Sequence, residues 1–337
     1  MNCLRNCNFA FGEITGRVET LPYNAYSQFH NNDARGYFCR KDAMLMKKIF
    51  ALGFFDGVHL GHQALLARCC EIAWQEDATA CAITFDRHPQ SLFVKDPPRL
   101  ISTVRDRQWL LRKYGIGPIF IYSVTQEIMS MSWEAFLEDL LSCGGAGFVC
   151  GSDFRFGYRG EGTAEKLRAF CAERQLPCAV VEQQLLEGVR ISSTHIRGLL
   201  EAGDLAGARR FLGHPHTLTG TVTTGRQLGR TIGIPTANLP LPEEAVALPR
   251  GVYACKAFTK DGGYLAVTNI GSRPTVEGHH VTVESWLLDF SGHLYGRELT
   301  LEFHAFLRPE RKFDSLEALG EEIRKNAEQT RKFFEKN

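Results

Sequence analysis

Lys48-Ile49-Phe50-Ala51-Leu52-Gly53, then Phe55-Asp56-Gly57-Val58-His59-Leu60-Gly61-His62, then Gln63-Ala64-Leu65-Leu66-Ala67-Arg68 reads as an apolar strand, a tight turn and the start of an amphipathic helix. Such a junction gathers unpaired backbone N–H groups and the positive end of a helix dipole, which together favour an anion. Working outward, the same rhythm continues with a helix over 62–76, a strand at 79–85, a helix over 105–114 and a strand at 118–122. A helix over 133–142, a strand at 147–150, a helix over 163–174 and a strand at 178–182 follow. Strands taking turns with helices predict a parallel, doubly wound α/β sheet of the Rossmann kind.

The rhythm ends with a helical pair around Leu199-Leu200 and Leu205 to Leu212, separated by Gly203, after which Gly213-His214-Pro215 breaks the chain. Beyond it the period becomes two. Thr217 to Thr223, Val252 to Phe258, Tyr264 to Asn269, Val281 to Leu288 and Glu298 to Phe306 all read as strands between Gly, Pro or Asp-Gly turns. A mainly antiparallel β-barrel is expected there, closed by a helix with Ser315 at its N-cap and Leu316, Leu319 and Ile323 on one face. The expected organisation is therefore an extension with little fixed structure at 1–43, an α/β domain at 44–213 and a barrel domain at 214–337. Met44 or Met46 is the expected true start, because strand-like sequence begins abruptly at Lys48.

Composition narrows the function class. The 337 residues carry 39 basic and 38 acidic side chains for a net charge of +1, so neither nucleic acid nor an anionic membrane is expected as a partner. No apolar run approaches the roughly 18 residues of a membrane helix, and no basic-then-apolar leader pattern opens the chain, so a cytoplasmic enzyme is expected. Eleven scattered cysteines contain no Cys-x-x-Cys pair. Free, mostly buried thiols are expected rather than zinc or a disulfide framework.

Two stretches carry candidate chemistry. In the first, His59 and His62 flank Gly61, which has no Cβ and lets a phosphate approach the backbone. Two imidazoles within reach of one phosphate can stabilise charge on a transferring group, although spacing alone fits a helix cap or a surface pair equally well. Arg190-Ile191-Ser192-Ser193-Thr194-His195-Ile196-Arg197 is a second cradle, in which a Ser/Thr cap lies between two arginines. In the second stretch, Gly225 to Asn238 is a glycine-spaced loop containing Gly229 and Gly233 and ending in Thr236 and Asn238. The oxygens of Thr236 and Asn238 suit Mg²⁺ bound to ATP, but turns between strands contain glycine in any case.

Taken together, Gly53-Phe54-Phe55-Asp56-Gly57-Val58-His59-Leu60-Gly61-His62, Gly151-Ser152-Asp153-Phe154-Arg155-Phe156-Gly157 and Ile191-Ser192-Ser193-Thr194-His195-Ile196-Arg197 resemble the adenylyltransferase module of bacterial bifunctional riboflavin kinase/FAD synthetases. Asn269-Ile270-Gly271-Ser272-Arg273-Pro274-Thr275, Val283 to Phe290 and Leu294-Tyr295-Gly296 look like the kinase module of the same family. The resemblance runs from about residue 46 to the end. It implies riboflavin plus ATP giving FMN plus ADP in the second domain, then FMN plus ATP giving FAD plus pyrophosphate in the first, both with Mg²⁺. It also implies that His59 and His62 contact the α-phosphate, that Asp153, Arg190, Ser193 and Arg197 hold nucleotide phosphates, and that Gly53, Asp56, Gly61, Ser192, Thr194, Gly229 and Gly233 line nucleotide sites. Phe85, His88, Pro89 and Arg273 are candidate flavin contacts, and Arg308 stands open between a surface charge and a phosphate or flavin contact.

Glu284 sits in a strand-like run, where a carboxylate ordinarily points to solvent. The resemblance makes it the general base for the ribityl hydroxyl. The family commonly has Asn where this chain has Phe54 and Pro where it has Arg87. A riboflavin kinase with a degenerate first domain is therefore the alternative within the class, and a non-catalytic flavin sensor the alternative outside it. A monomer or weak homo-oligomer is expected.

Overall fold

The apolar run at 48–52 becomes the centre of the first domain. In the computed structural model, which describes residues 46–225, 229, 233–275 and 278–336, it forms β1 (Lys48–Leu52), buried along its whole length. α1 (Leu60–Gln75), β2 (Thr79–Phe85), α2 (Val104–Lys113), β3 (Ile119–Tyr122), α3 (Gln126–Met129), α4 (Trp133–Ser142), β4 (Gly145–Gly151), α5 (Ala164–Glu173) and β5 (Cys178–Val181) follow. The strands are parallel in the order β3-β2-β1-β4-β5, the doubly wound sheet read from the sequence. Side chains alternate across a strand. Ile49 and Ala51 accordingly enter one apolar cluster with Leu65 and Leu66 of α1 and Leu110 and Leu111 of α2. Phe50 and Leu52 enter another with Leu137 and Leu140 of α4 and Leu167 of α5. Burial on both faces is why β1 shows no polar alternation. The winding reverses at β1, so a crevice forms outside the carboxyl ends of β1 and β4.

A small hairpin, β6 (Leu185–Leu186) and β7 (Val189–Arg190), leads to α6 (Ser193–Glu201) and α7 (Leu205–Leu212). The barrel strands are β8 (His216–Thr221), β9 (Ala237–Pro240), β10 (Gly251–Thr259), β11 (Gly262–Thr275), β12 (Gly278–Leu287) and β13 (Glu298–Arg308). They pair antiparallel in the order β8-β13-β10-β11-β12-β9. A bridge between Thr223 and Asn238 nearly closes the barrel. β9 had no counterpart in the sequence reading. Four residues ending in Pro240 carry little strand signal of their own, and the segment becomes a strand through pairing with β12, where Asn238 faces Glu284.

α8 (Leu316–Lys336) closes the chain, and Ser315 Oγ accepts the Ala318 N–H over 3.1 Å as its cap. The face expected to be buried is shifted. Leu316 is exposed and Leu319 and Ile323 are only half-buried, while Gly320, Asn326, Ala327 and Thr330 form the buried stripe. Small residues let the helix approach the outer barrel face, where Ala327 joins Val252, Val267 and Leu288. Residues 1–43 lie outside the described residues. Among the described residues no helix is long and apolar enough to cross a membrane.

The α/β sheet and the barrel share polar and apolar contacts. Asp106 of α2 accepts the Thr219 N–H of β8, Arg105 donates to Thr221 Oγ1 over 2.7 Å, and Lys113 lies 3.6 Å from Glu302 of β13. Leu100 inserts between backbone groups of the barrel domain, donating to Glu244 O over 2.6 Å and accepting from Val246 N over 2.8 Å. Ile196, Leu200, Leu205, Ala208, Phe211 and Leu212 of α6 and α7 belong to the same apolar cluster as the barrel interior.

His214 and His216, both buried, lie at this junction. Burial lowers the pKa of both from the ordinary 6.5, His216 to about 3. Lys113 and Glu302 face His214 with opposing effects, and His214 further lowers His216. A histidine depressed in this way contributes stability that is present above pH 6.5 and lost as pH falls towards its folded value, at about 1.4 kcal/mol per pH unit. Asp106, raised by burial to about 6, acts in the opposite sense over pH 4–6, because its stabilisation is present at low pH and lost as pH rises through 6. Urea unfolding between pH 7 and 4 should therefore show stability falling with pH, and His216→Phe should remove about one histidine's worth of that slope. An unchanged slope in the variant would contradict the assignment.

Candidate active sites

The first site is built on a turn that the surrounding protein holds in an unusual shape. Phe55 (φ 57°), Gly57 (φ 78°) and Val58 (φ 40°) all lie in the left-handed region, where a β-branched residue such as Val58 is strained. Asp56, only 3 % exposed, is enclosed by donors: Ser102 N at 2.9 Å, Ser102 Oγ at 3.2 Å and Arg197 Nη2 at 3.2 Å. Ser102 Oγ also accepts the Gly57 N–H over 2.7 Å. Gly53 lies so close to the turn that a Cβ there would stand 2.9 Å from the Phe55 ring.

The turn delivers His59 as the N-cap of α1. Its Nδ1 accepts the backbone N–H of His62 over 3.3 Å, which leaves the proton of the neutral ring on Nε2. The His59 and His62 rings stack with centroids 3.6 Å apart and planes within 12°. Burial lowers His59 to about 4 and His62 well below 6.5, with the neighbouring His59 adding to the effect on His62. Both shifts favour the neutral imidazole at pH 7. His62 Nδ1 is a buried atom with no hydrogen-bond partner among the described residues. A Cβ at Gly61 would meet the His59 ring at 3.3 Å.

His59, Gly61 and His62 form one wall of a cleft of ≈ 230 Å³, and Asp153, Arg190, Ser192 and Ser193 line the other. Ser192 caps α6 by accepting the His195 N–H, so two helix N-termini flank one cleft, an arrangement suited to phosphate. Arg190 and Asp153 pair at 2.6 Å while each is about half exposed. A pair so solvated holds its partners weakly and can exchange them. Asp56 and Arg197 engage each other behind the turn, and Thr194 is exposed at the start of α6. Phe85, His88 and Pro89 gather at the carboxyl end of β2, next to β1. There the Phe54 ring meets His88 edge-on at 5.2 Å and lies 4.4 Å beneath the buried Arg107 guanidinium.

In the barrel, Glu284 of β12 faces Asn238 of β9 on one side and Asn269 of β11 on the other, which makes a polar row across three strands. Directly paired residues share a sheet face. Glu284 is half-buried among neighbours that point inward, Val283 and Ser285. Thr236 stands just before β9, two residues ahead of Asn238, and a Cβ at Gly229 would lie 3.7 Å from its Cγ2. A Cβ at Gly225 would come within 2.4 Å of the Asn238 amide and one at Gly229 within 2.1 Å of Ile234 O, so both glycines permit close approach of the loop. Gly233 takes φ 72°. Arg308 is engaged with α8, through Asn326 Oδ1 at 3.2 Å and Glu322 at 3.4 Å. The Arg273 side chain lies outside the described residues. Sequence reasoning passed over Ser102, Arg107 and the part Asn269 plays in the row. Their partners are 45, 53 and 15 residues away in the chain for Ser102, Arg107 and Asn269 respectively, so no local spacing signals them.

Comparison with known proteins finds both modules. A family model described as FAD synthetase matches residues 41–195, and one described as riboflavin kinase matches residues 212–334. A bifunctional riboflavin kinase/FMN adenylyltransferase of Listeria monocytogenes is 34% identical over 295 residues, covering 86% of this chain and 94% of that protein. Its Bacillus subtilis namesake is 33% identical, covering 86% of this chain and 93% of that protein. A crystal structure named as a macrolide-efflux protein from Streptococcus pneumoniae superposes with a TM-score of 0.71 at 27% identity, over 85% of this chain and 94% of that one. The chain belongs to the bifunctional riboflavin kinase/FMN adenylyltransferase family.

Ser102→Ala should strip the Gly57 N–H of its acceptor and Asp56 of one donor at a site only 1 % exposed. A loss of about 1–3 kcal/mol in urea unfolding is expected, and a loss below 0.3 kcal/mol would show that the turn holds its shape without Ser102.

Proposed function

We infer that this chain makes FAD in two steps, its barrel phosphorylating riboflavin with ATP and its α/β domain adenylylating the resulting FMN with a second ATP. The observation that carries the reading is the stacked pair of neutral imidazoles, His59 and His62, set at the N-terminus of α1 and facing that of α6. A kinase with a degenerate first domain has no need of such a pair. Residues 44–213 are proposed to carry adenylyl transfer and 214–337 the kinase, in a cytoplasmic monomer or weak oligomer.

In adenylyl transfer an FMN phosphate oxygen bonds to the α-phosphorus of ATP while the bond to the leaving pyrophosphate breaks. Negative charge grows on the α-phosphoryl and leaving oxygens. The proton held on His59 Nε2 and the ring of His62 are proposed to meet that charge, with the first N–H groups of α1 as further donors. Neutral donors suit a reaction that must also release its anionic product. Arg190, Asp153 and Ser193 are proposed to bind the remaining nucleotide, with Arg190 exchanging Asp153 for phosphate. Phe85, His88 and Pro89 are proposed to contact the flavin.

In the kinase step the ribityl 5′-oxygen bonds to the γ-phosphorus and ADP leaves. Glu284 is proposed to take the hydroxyl proton. Thr236 and Asn238 offer hard oxygens beside it in the space left by Gly225, a donor set that fits Mg²⁺. The ion would neutralise phosphate charge there.

Paired assays starting from riboflavin and from FMN test the assignment. His59→Ala and His62→Ala should each lower FAD formation about 10²–10³-fold while FMN formation continues. Glu284→Ala should lower riboflavin phosphorylation about 10²–10⁴-fold and leave supplied FMN convertible to FAD. Thr236→Ala should lose kinase activity that high Mg²⁺ partly restores. Loss of both reactions in Glu284→Ala, in a protein that still melts cooperatively, would replace two sites with one.

A further inference from the structure

Each of the three consecutive carbonyls of the phosphate-facing turn meets a side chain. Ser193 Oγ donates to Asp56 O over 3.0 Å, His214 Nε2 lies 2.9 Å from Gly57 O, and Gln63 Nε2 donates to Val58 O over 2.9 Å. Two of these restraints tie the turn to the link between domains. Gln63 Nε2 also reaches Leu212 O over 2.6 Å, and a Cβ at Gly213 would stand 2.5 Å from Leu60 Cδ2. His214 itself enters the barrel and is 4 % exposed, with its Nδ1 2.7 Å from Pro215 O.

The bond at Gly57 O has a particular leverage. Rotating the peptide plane between residues 57 and 58 changes ψ of Gly57 and φ of Val58 together, and Val58 is held at φ 40°. The other end of that peptide donates from Val58 N to Phe55 O over 3.1 Å, so without His214 that one hydrogen bond is left to resist the peptide turning over and relieving the strain. The next residue is His59, so such a turn moves the imidazole that caps α1. Resting on the reading that His59 and His62 serve adenylyl transfer, we propose that His214, whose neutral ring has one N–H for the two carbonyls within its reach, carries that proton on Nε2 and is a positioning residue for the reaction, donating to Gly57 O and holding the turn from the kinase side. The adenylyl site is then complete only with a residue that follows the α/β domain. His214 touches no substrate and has no part in phosphorylating riboflavin.

The test uses the full chain. His214→Phe keeps the bulk and removes the donor, and kcat for FMN adenylylation should fall about 10²-fold with KM little changed, as expected for reacting groups displaced by about 1 Å. FAD pyrophosphorolysis should fall with it, because both directions share one transition state. His214→Gln, whose amide can donate to Gly57 O, should recover most of the rate. Riboflavin phosphorylation in the same preparations should be unchanged. Parental kcat in His214→Phe would overturn the proposal, and so would a parallel fall in riboflavin phosphorylation, which would make His214 a strut of the junction. Should the phenylalanine variant fail to fold, the flexible, donor-free His214→Met takes its place with the same expected outcomes. His59→Ala assayed alongside separates the two readings: undiminished FAD formation there overturns the site, whereas a large loss there with parental His214→Phe overturns only the role of His214.

Discussion

A buried turn must find partners inside the protein for every backbone polar group it carries. Between Phe55 and His59 that requirement shapes the whole first site. The carboxylate of Asp56 closes over Ser102 and Arg197, the Gly57 N–H finds Ser102, and three carbonyls find Ser193, His214 and Gln63. These partners come from the loop before α2, from α6, from the link to the barrel and from α1. Left-handed backbone at Phe55 and Val58 persists because so many independent elements specify it. The outcome is a stacked pair of imidazoles in a fixed position at the start of α1.

The two sites solve related electrostatic problems with different material. The candidate α/β site brings together helix ends and two imidazoles whose pKa burial lowers, so its field arises from dipoles and hydrogen bonds. The barrel site is a row of Asn, Glu and Asn across neighbouring strands, with a glycine-permitted loop brought against it. Strands supply few free N–H groups, because their ladders use them. A side-chain carboxylate and hard oxygens take their place.

What could be read from the sequence follows the range of the interactions involved. β1 to β5 were legible because each carries its own apolar run, and the doubly wound order follows from alternation with helices. The strings around His59 and Ser192 were legible as helix starts. The fates of Asp56 and Arg197 were not: 141 residues apart, they meet as a buried pair behind the turn. β9 was read as loop because its pairing with β12 is non-local and its four residues end in proline. The face of α8 was misplaced because the largest apolar residues were assumed to be buried, whereas close packing on a barrel favours small ones at Gly320 and Ala327.

The register of β8 places His216 opposite Phe303, and Leu100 pairs with residues around Ala245. During synthesis the amino-terminal sheet can assemble early from its local strand–helix units. The turn between Phe55 and His59, however, contacts a link whose following strand has its first ladder neighbour only when β13 has left the ribosome. The turn encoded first thus gains this contact among the last. A nascent chain cut short before β13 holds the whole α/β sheet and both histidines while lacking the neighbour that secures β8.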